Sequence, residues 1–344
     1  MRYRVIRIGA LLFAAALALA LLVLPLDRVV SAEDTWTNVE RIVAVGDVHG
    51  DFNQFVKVLR TAKVIDEKND WIGGKTHLVQ VGDVFDRGPD SRKAMDLLMK
   101  LETQSTKVGG AVHPLIGNHE AMILFGDWRY MTREEIEAFG GEDAFRDAMS
   151  AKGKYGKWIR SHNTVIKIND LVFVHAGIRA AVARKSITRI NDTIRDELAR
   201  GNRHGLAMNP TGPLWDRTFA LVSEQRIAGE LTEVLKRLGA RRMVIGHTVK
   251  TAGVVTRADG RVVRIDVGMS AAYGGPAACL VVEKGVLYEV RHPDRKRKLL
   301  DDTPPPAKGK RTRASTRGHV FASATAAASP RRTSPGTGAP VRVR

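Results

Sequence analysis

Cysteine is almost absent: Cys279 is the only one among 344 residues. It cannot close an internal disulfide, and it excludes a zinc site of the multi-cysteine kind. It also cannot act in a phosphate loop that needs an Arg six positions after the Cys, because Gly285 stands there. Its setting, Ala277-Ala278-Cys279-Leu280-Val281-Val282, reads as a buried strand. Acidic residues are missing from one end. Positions 303–344 hold nine Lys/Arg and no Asp or Glu, and positions 1–32 carry a net +3. Of the total net charge of +18, only +6 is left for 33–302. The high isoelectric point is therefore no argument for specific nucleic-acid binding. Long apolar runs are missing as well, with one exception, Ile8–Leu24.

That run follows Arg2, Arg4 and Arg7, ends at Pro25, and precedes the small-residue pattern Val30-Ser31-Ala32. This is the layout of a secretory signal, although the run is long for one and marginal for a membrane span. A cleaved signal is favoured over an uncleaved anchor in residues 1–26. Either way the body is expected outside the cytoplasm, periplasmic or held at the inner membrane. Three regions follow: 1–32 as leader or anchor, 33–302 as the folded body, and 303–344 as a basic tail. The tail opens with Pro304-Pro305-Pro306 and has almost no aliphatic pattern, which predicts disorder.

Five polar clusters occupy the body in order. They are Gly46-Asp47-Val48-His49-Gly50, Gly82-Asp83-Val84-Phe85-Asp86-Arg87-Gly88, Gly117-Asn118-His119-Glu120, His175-Ala176-Gly177 and Gly246-His247-Thr248. Each follows a short apolar run that reads as a strand: Arg41–Val45, His77–Val81, Val112–Ile116, Leu171–Val174 and Arg242–Ile245. Helices are expected over Phe52–Val64 behind an Asp51 cap, from Pro89-Asp90-Ser91 through Leu101, and over 221–239. Met131–Arg160 reads as a helical insertion over the site. Val254–Ile265 and Ala278–Val290 read as hairpins turning at Asp259-Gly260 and Lys284-Gly285. The pattern predicts an α/β fold, a layered sandwich of mixed sheets flanked by helices. Ligands of such sheets sit at the carboxyl ends of the strands, where all five clusters begin.

The clusters supply oxygen and imidazole donors suited to divalent metals. Asp47 and His49 can face one ion, Asp83 can bridge, and Asn118, His175 and His247 can serve a second. Two such ions can hold a hydroxide between them and clamp a phosphoryl group. His119, paired with Asp86, is suited to protonate a leaving oxygen. Arg87 can grip phosphate, and Arg217, in Gly212-Pro213-Leu214-Trp215-Asp216-Arg217, is the second arginine expected there. Tyr273 is a candidate for the pocket wall. Asp266 is expected to bond backbone rather than metal, and His77, His113, His162, His204 and His292 to be structural or solvent-facing.

The ordered motifs GDxHG, GDxxDRG, GNHE, a His-Gly element and a late GH resemble those of the phosphoprotein phosphatase family of metallophosphoesterases, over residues 46–248. The Gly-Pro-Leu-Trp element with Arg217, and Ile265–Ser270, resemble the bacterial Shewanella-like branch. The resemblance implies a metallophosphoesterase sandwich and hydrolysis of phosphoprotein monoesters at Ser/Thr or Tyr. It implies Asp47, His49, Asp83, Asn118, His175 and His247 as ligands and His119 with Asp86 as acid and orienter. Arg87, Arg217 and Asn118 are implied at the phosphate. Manganese is the expected metal, with iron or zinc as other options, and a phosphoprotein the expected partner. His175-Ala176-Gly177 departs from the His-Gly-Gly of the eukaryotic enzymes and is shared with diadenosine tetraphosphate hydrolases, the second reading. A third reading is a non-enzymatic module that binds anionic surfaces through its basic tail.

Overall fold

The structure, a computed structural model, describes residues 33–300. The leader read in 1–32 and the disordered tail read in 303–344 lie outside the described residues. Among the described residues no helix is long and apolar enough to cross a membrane.

In chain order the described strands are β1 (Thr35–Trp36), β2 (Arg41–Val45), β3 (His77–Gln80), β4 (Ala111–Pro114), β5 (Val165–Ile168) and β6 (Leu171–Val174). They continue with β7 (Arg242–Ile245), β8 (Val255–Arg257), β9 (Val262–Arg264), β10 (Ala278–Glu283), β11 (Val286–Arg291) and β12 (Arg295–Leu300). They form two mixed sheets, ordered β12-β11-β10-β2-β3-β4 and β1-β5-β6-β7-β9-β8. In the first, β2, β3 and the edge strand β4 run parallel, and in the second so do β6, β7 and β9. β2 and β7 are apolar after their first residue, without alternation, because both faces are covered. Ile42 to Val45 and Met243 to Ile245 are all buried, as is Cys279 on β10. One continuous apolar core includes side chains of both sheets and of the flanking helices.

Helices cover the sheets as their periodicity requires. Asp51 caps Phe52–Thr61, its carboxylate accepting from Gln54 N at 3.0 Å, and the helix buries Phe55, Val56, Val58 and Leu59. Ser91–Thr106 and Glu224–Leu238 stand where the sequence places helices. The expected insertion is helical, built from Arg133–Glu137, Glu142–Met149 and Lys154–Ser161. Edge-to-face contacts of Phe145 with Trp128 and Phe139, each 5.0 Å between ring centres, hold it together where it joins the common core. Both expected hairpins form, and the second turns at Lys284 (φ 50°) and Gly285 (φ 80°), the left-handed pair of a tight hairpin.

Some elements depart from the sequence reading. β4 ends at Pro114, two residues before Ile116, because Ile116 N turns to Asn163 O. The helix from Phe52 stops at Thr61 rather than Val64. β12 was not expected, since Arg295-Lys296-Arg297-Lys298 has no apolar alternation. It is an exposed edge strand, where basic side chains guard against further pairing. Ile187–Arg200 was also missed, although Ile187, Ile190, Ile194 and Leu198 share its buried face.

At the end of the sandwich away from the clusters, His113 Nε2 meets His77 Nδ1 at 3.0 Å, and Trp36 packs on His113 with ring centres 4.2 Å apart. Burial, with His77 beside it, pushes the His113 imidazole down to about 3. The unfolded chain then takes up a proton that the folded chain refuses as pH falls from the ordinary imidazole range toward 3. Stability should therefore drop across that window, by up to about 1.4 kcal/mol per pH unit for one proton. Comparing urea midpoints at pH 7 and pH 5 should show a smaller acid loss in His113→Gln than in the native protein. An equal loss in both would exclude His113 as the cause.

Candidate active site

The clusters leave the carboxyl ends of β2, β3, β4, β6 and β7 as tight loops that bond to one another. Val48 N and His49 N donate to Asp83 O at 2.9 and 3.0 Å, and Gly50 N to Val84 O at 2.8 Å. His49, Asp83, Asp86, Arg87 and His247 all have positive φ, a conformation costly for non-glycine residues and concentrated at functional sites. Glu120 ties two loops together from beneath. Its Oε2 accepts from Gly117 N and Asp83 N at 2.7 and 2.8 Å, and its Oε1 from Val84 N at 2.8 Å. Glycine is required at two close approaches. A Cβ on Gly117 would collide with the Asp83 carboxylate and backbone, and one on Gly246 with the Asp47 carboxylate.

Three imidazoles turn an inner nitrogen toward the Asp83 carboxylate. His49 Nδ1 bonds Phe85 O at 2.9 Å, His175 Nδ1 bonds Val81 O at 2.9 Å, and His247 Nε2 bonds Trp215 O at 3.1 Å. A carbonyl can only accept, so each outer nitrogen carries the proton and each inner one presents a lone pair. His49 Nε2 lies 3.9 Å from both Asp47 Oδ2 and Asp83 Oδ2. His175 Nε2 lies 3.2 Å from Asp83 Oδ2, 2.9 Å from Asn118 Oδ1 and 3.1 Å from His247 Nδ1. Asp47 receives His247 N on both oxygens at 3.1 Å. Two donor groups result, His49–Asp83–His119 and Asp83–His175–His247, and Asp83 belongs to both.

The fourth imidazole differs. His119 Nδ1 bonds the carboxylate Oδ2 of Asp86 instead of a carbonyl, and its Nε2 lies 3.7 Å from Asp83 Oδ2. Burial disfavours its charge, but Asp83 and Asp86 outweigh burial and raise its proton affinity. Burial also lifts Asp86.

The remaining charges are in conflict. Burial lifts Asp47 well above the carboxylate range, helped by Asp266 and Asp83. Burial opposes ionisation of Asp83 too, but His175, His119 and His49 hold it well below that range. His175 is driven up to about 9 against burial by Asp83, Asp47 and Glu120, whereas burial and His175 push His247 far down. Burial brings His49 down to about 4. Asp47, Asp83, Glu120 and Asp266 are all buried, with converging imidazole and amide lone pairs. Such a nitrogen and oxygen set, carrying excess negative charge, fits divalent cations.

Every site residue read from sequence lies in this region. Arg87 sits between two aromatic rings, its guanidinium 5.0 Å from the Tyr130 ring centre and 5.4 Å from that of Tyr273. Arg217 lies at the rim, with Nη1 donating to His247 O at 2.6 Å and Thr248 Oγ1 at 3.0 Å. Tyr273 also lines His49, with ring centres 5.5 Å apart. Two participants were missed. Tyr130 stands 5.6 Å from the His119 ring, and no motif marks it. Asp266 bonds Gly268 N at 3.0 Å as expected, yet its other oxygen is buried without a protein partner and burial raises it to about 6.

A family model for calcineurin-like phosphoesterases matches residues 40–250. The chain belongs to the calcineurin-like phosphoesterase family. It is 31% identical to Shewanella-like protein phosphatase 2 of Arabidopsis thaliana, over 67% of this chain and 72% of that protein. It is 30% identical to Shewanella-like protein phosphatase 1 of Plasmodium berghei, over 69% of each. The solved cold-active protein-tyrosine phosphatase of a psychrophilic Shewanella species superposes with a TM-score of 0.71 at 28% identity, covering 78% of this chain and 82% of that one. The protein is a phosphoester hydrolase with a site for divalent metal ions.

The Asp86 carboxylate helps His119 hold its proton, so Asp86→Asn should release that proton at lower pH. If His119 acts as a protonated acid, activity is lost as pH rises through its raised value. The alkaline limb of the kcat/KM profile should then move to lower pH in Asp86→Asn, by roughly one to three units. A limb that stays in place would exclude this pair as its source.

Proposed function

We propose that this protein is a two-metal phosphomonoesterase that dephosphorylates protein side chains, phosphotyrosine ahead of phosphoserine and phosphothreonine. The observation that carries the reading is the sharing of Asp83 between two donor groups, one of which contains a histidine backed by a carboxylate. Asp47, His49 and Asp83 would hold one ion, and Asp83, Asn118, His175 and His247 the other. When bound, such ions supply Lewis acidity and lower the pKa of water. Manganese suits the mixed nitrogen and oxygen donors, as do iron and zinc.

The chain's own groups do the rest. Arg87, with Arg217 and Asn118, binds the phosphoryl oxygens and orients the ester for in-line displacement. Asp86 accepts from His119 Nδ1 and fixes the ring, so that Nε2 presents its proton to the leaving oxygen. A phenolate leaves more readily than a serine alkoxide, so His119 matters most for alkyl esters. The preference for phosphotyrosine is supported by Tyr130 and Tyr273, which wall the phosphate arginine with aromatic surface. It is further supported by the Shewanella relative named a protein-tyrosine phosphatase. Export, with a signal or anchor in residues 1–32, belongs to the same proposal and is supported by the Arg2–Ala32 pattern alone.

Chelated protein should lose p-nitrophenyl phosphate hydrolysis and regain it with Mn²⁺. Asp83→Asn should lower kcat at least about 100-fold, the loss expected when a charged group serving the transition state is removed. On matched peptides kcat/KM should favour phosphotyrosine by about two- to tenfold, one aromatic contact's worth. Metal-independent turnover, or an active Asp83→Asn, would sink the two-metal reading, and equal rates on the peptides would remove the tyrosine preference. Export predicts a mature N-terminus at Glu33 in the periplasmic fraction, or an intact chain in the membrane pellet. Recovery of unprocessed protein in the cytosol would contradict it.

A further inference from the structure

Thr132-Arg133-Glu134-Glu135 is the sequence of a helix capping box. Half of it forms, with Glu135 N donating to Thr132 Oγ1 at 3.1 Å. The Glu135 side chain does something else. It is fully buried, and its Oε1 accepts from Asp86 N at 3.1 Å and from Ser91 Oγ, both across the site from its own helix. Its Oε2 and Asp86 Oδ1 are buried without a protein partner. Burial lifts this carboxyl to about 7. A buried carboxylate that serves only its own helix cap could sit in water at no such cost.

The loop it grips needs holding. Asp86 (φ 72°) and Arg87 (φ 69°) are successive non-glycine residues in the left-handed region. Such a conformation is costly for a residue with a side chain and persists only where its surroundings impose it. Both backbone N–H groups are held by the same segment, Asp86 N by Glu135 and Arg87 N by Tyr130 O at 3.1 Å. The first aims the Asp86 carboxylate at His119, and the second places Arg87 against the Tyr130 ring.

We propose that Glu135 is a positioning residue for the hydrolytic reaction. Through Asp86 N and Ser91 Oγ it fixes the left-handed Asp86–Arg87 pair, and so sets both the His119 acid and the phosphate arginine from the helical insertion. The insertion is thereby part of the catalytic apparatus and not merely a cover over it. This proposal rests on the roles given above to His119, Asp86 and Arg87.

The test uses the full-length, metal-loaded protein, with Glu135→Ala, Glu135→Gln and Asp86→Asn compared across pH on a phosphoserine peptide, an alkyl ester whose leaving oxygen needs the acid. Glu135→Ala should lower kcat about 10- to 100-fold, raise KM as Arg87 loses its place, and shift the alkaline limb in the direction seen for Asp86→Asn. Glu135→Gln keeps an accepting oxygen and should recover most of the activity. Thermal melting corrects each rate for the folded fraction. If Glu135→Ala does not fold, Glu135→Asp takes its place, because it keeps the charge but withdraws the oxygen by one methylene. Loss in Asp86→Asn with unchanged kcat, KM and pH profile in the Glu135 variants would overturn this proposal alone. Unchanged kcat, KM and pH profile in Asp86→Asn would overturn the catalytic reading, and this proposal with it. Equal losses in Glu135→Gln and Glu135→Ala would overturn positioning by the accepting oxygen.

Discussion

Burial of the Asp83 carboxylate among imidazoles is the constraint from which the site's other features follow. Asp83 is 2% exposed, and its Oδ2 lies between 3.2 and 3.9 Å from ring nitrogens of His49, His119 and His175. Water cannot solvate a carboxylate there, so protein groups must. Its Oδ1 takes His119 N at 3.0 Å, and its backbone N is claimed by Glu120. Its carbonyl receives Val48 N and His49 N. Almost every polar atom of this residue thus fastens a different loop. A group so placed brings two donor sets to one shared oxygen, the arrangement that two neighbouring cations require.

Holding many lone pairs together without water raises the energy of the folded chain, and the fold offsets that cost in recognisable ways. Carbonyls of Phe85, Val81 and Trp215 take the outer protons of three histidines and so fix which nitrogen faces inward. Glycines at 117 and 246 remove the side-chain atoms that would touch the carboxylates. Left-handed turns at His49, Asp83 and His247 aim side chains that an extended loop would aim elsewhere. The apolar core beneath, continuous across both sheets, is what keeps these unfavourable conformations populated. The distant His77–His113 pair shows the same cost in milder form, two imidazoles on neighbouring strands that burial keeps from taking up protons.

The difference between His119 and its three neighbours separates binding from proton transfer. A carbonyl behind an imidazole fixes a neutral tautomer, which suits a metal ligand. A carboxylate behind it stabilises the charged ring, which suits an acid. The insertion adds a second level to this division. It reaches the Asp86–Arg87 turn through Glu135, while Tyr130, just before it in the chain, supplies a carbonyl to Arg87 N and one of the two rings beside Arg87. Substrate contact and acid placement are thus mechanically connected.

The sequence by itself determined the strands that precede the five clusters, the donor types in those clusters, and the helical character of the insertion. Those properties are local. A buried parallel strand must be apolar throughout, and a tight metal-binding turn must combine glycine with Asp, His or Asn, so each leaves a mark a few residues long. Ile187–Arg200 was legible too, through its buried isoleucines. β12 was not, because an edge strand made of basic residues carries no burial pattern. Only the tertiary structure decided that Tyr130 faces His119, that Asp266 stands beside the ligands, and that Glu135 leaves its own cap to hold Asp86. For Asp266 and Glu135 the partners lie far along the chain, and for Tyr130 the turn that folds it back onto His119 carries no motif. What brings each pair together is the packing of sheets and insertion, which no short stretch of sequence records.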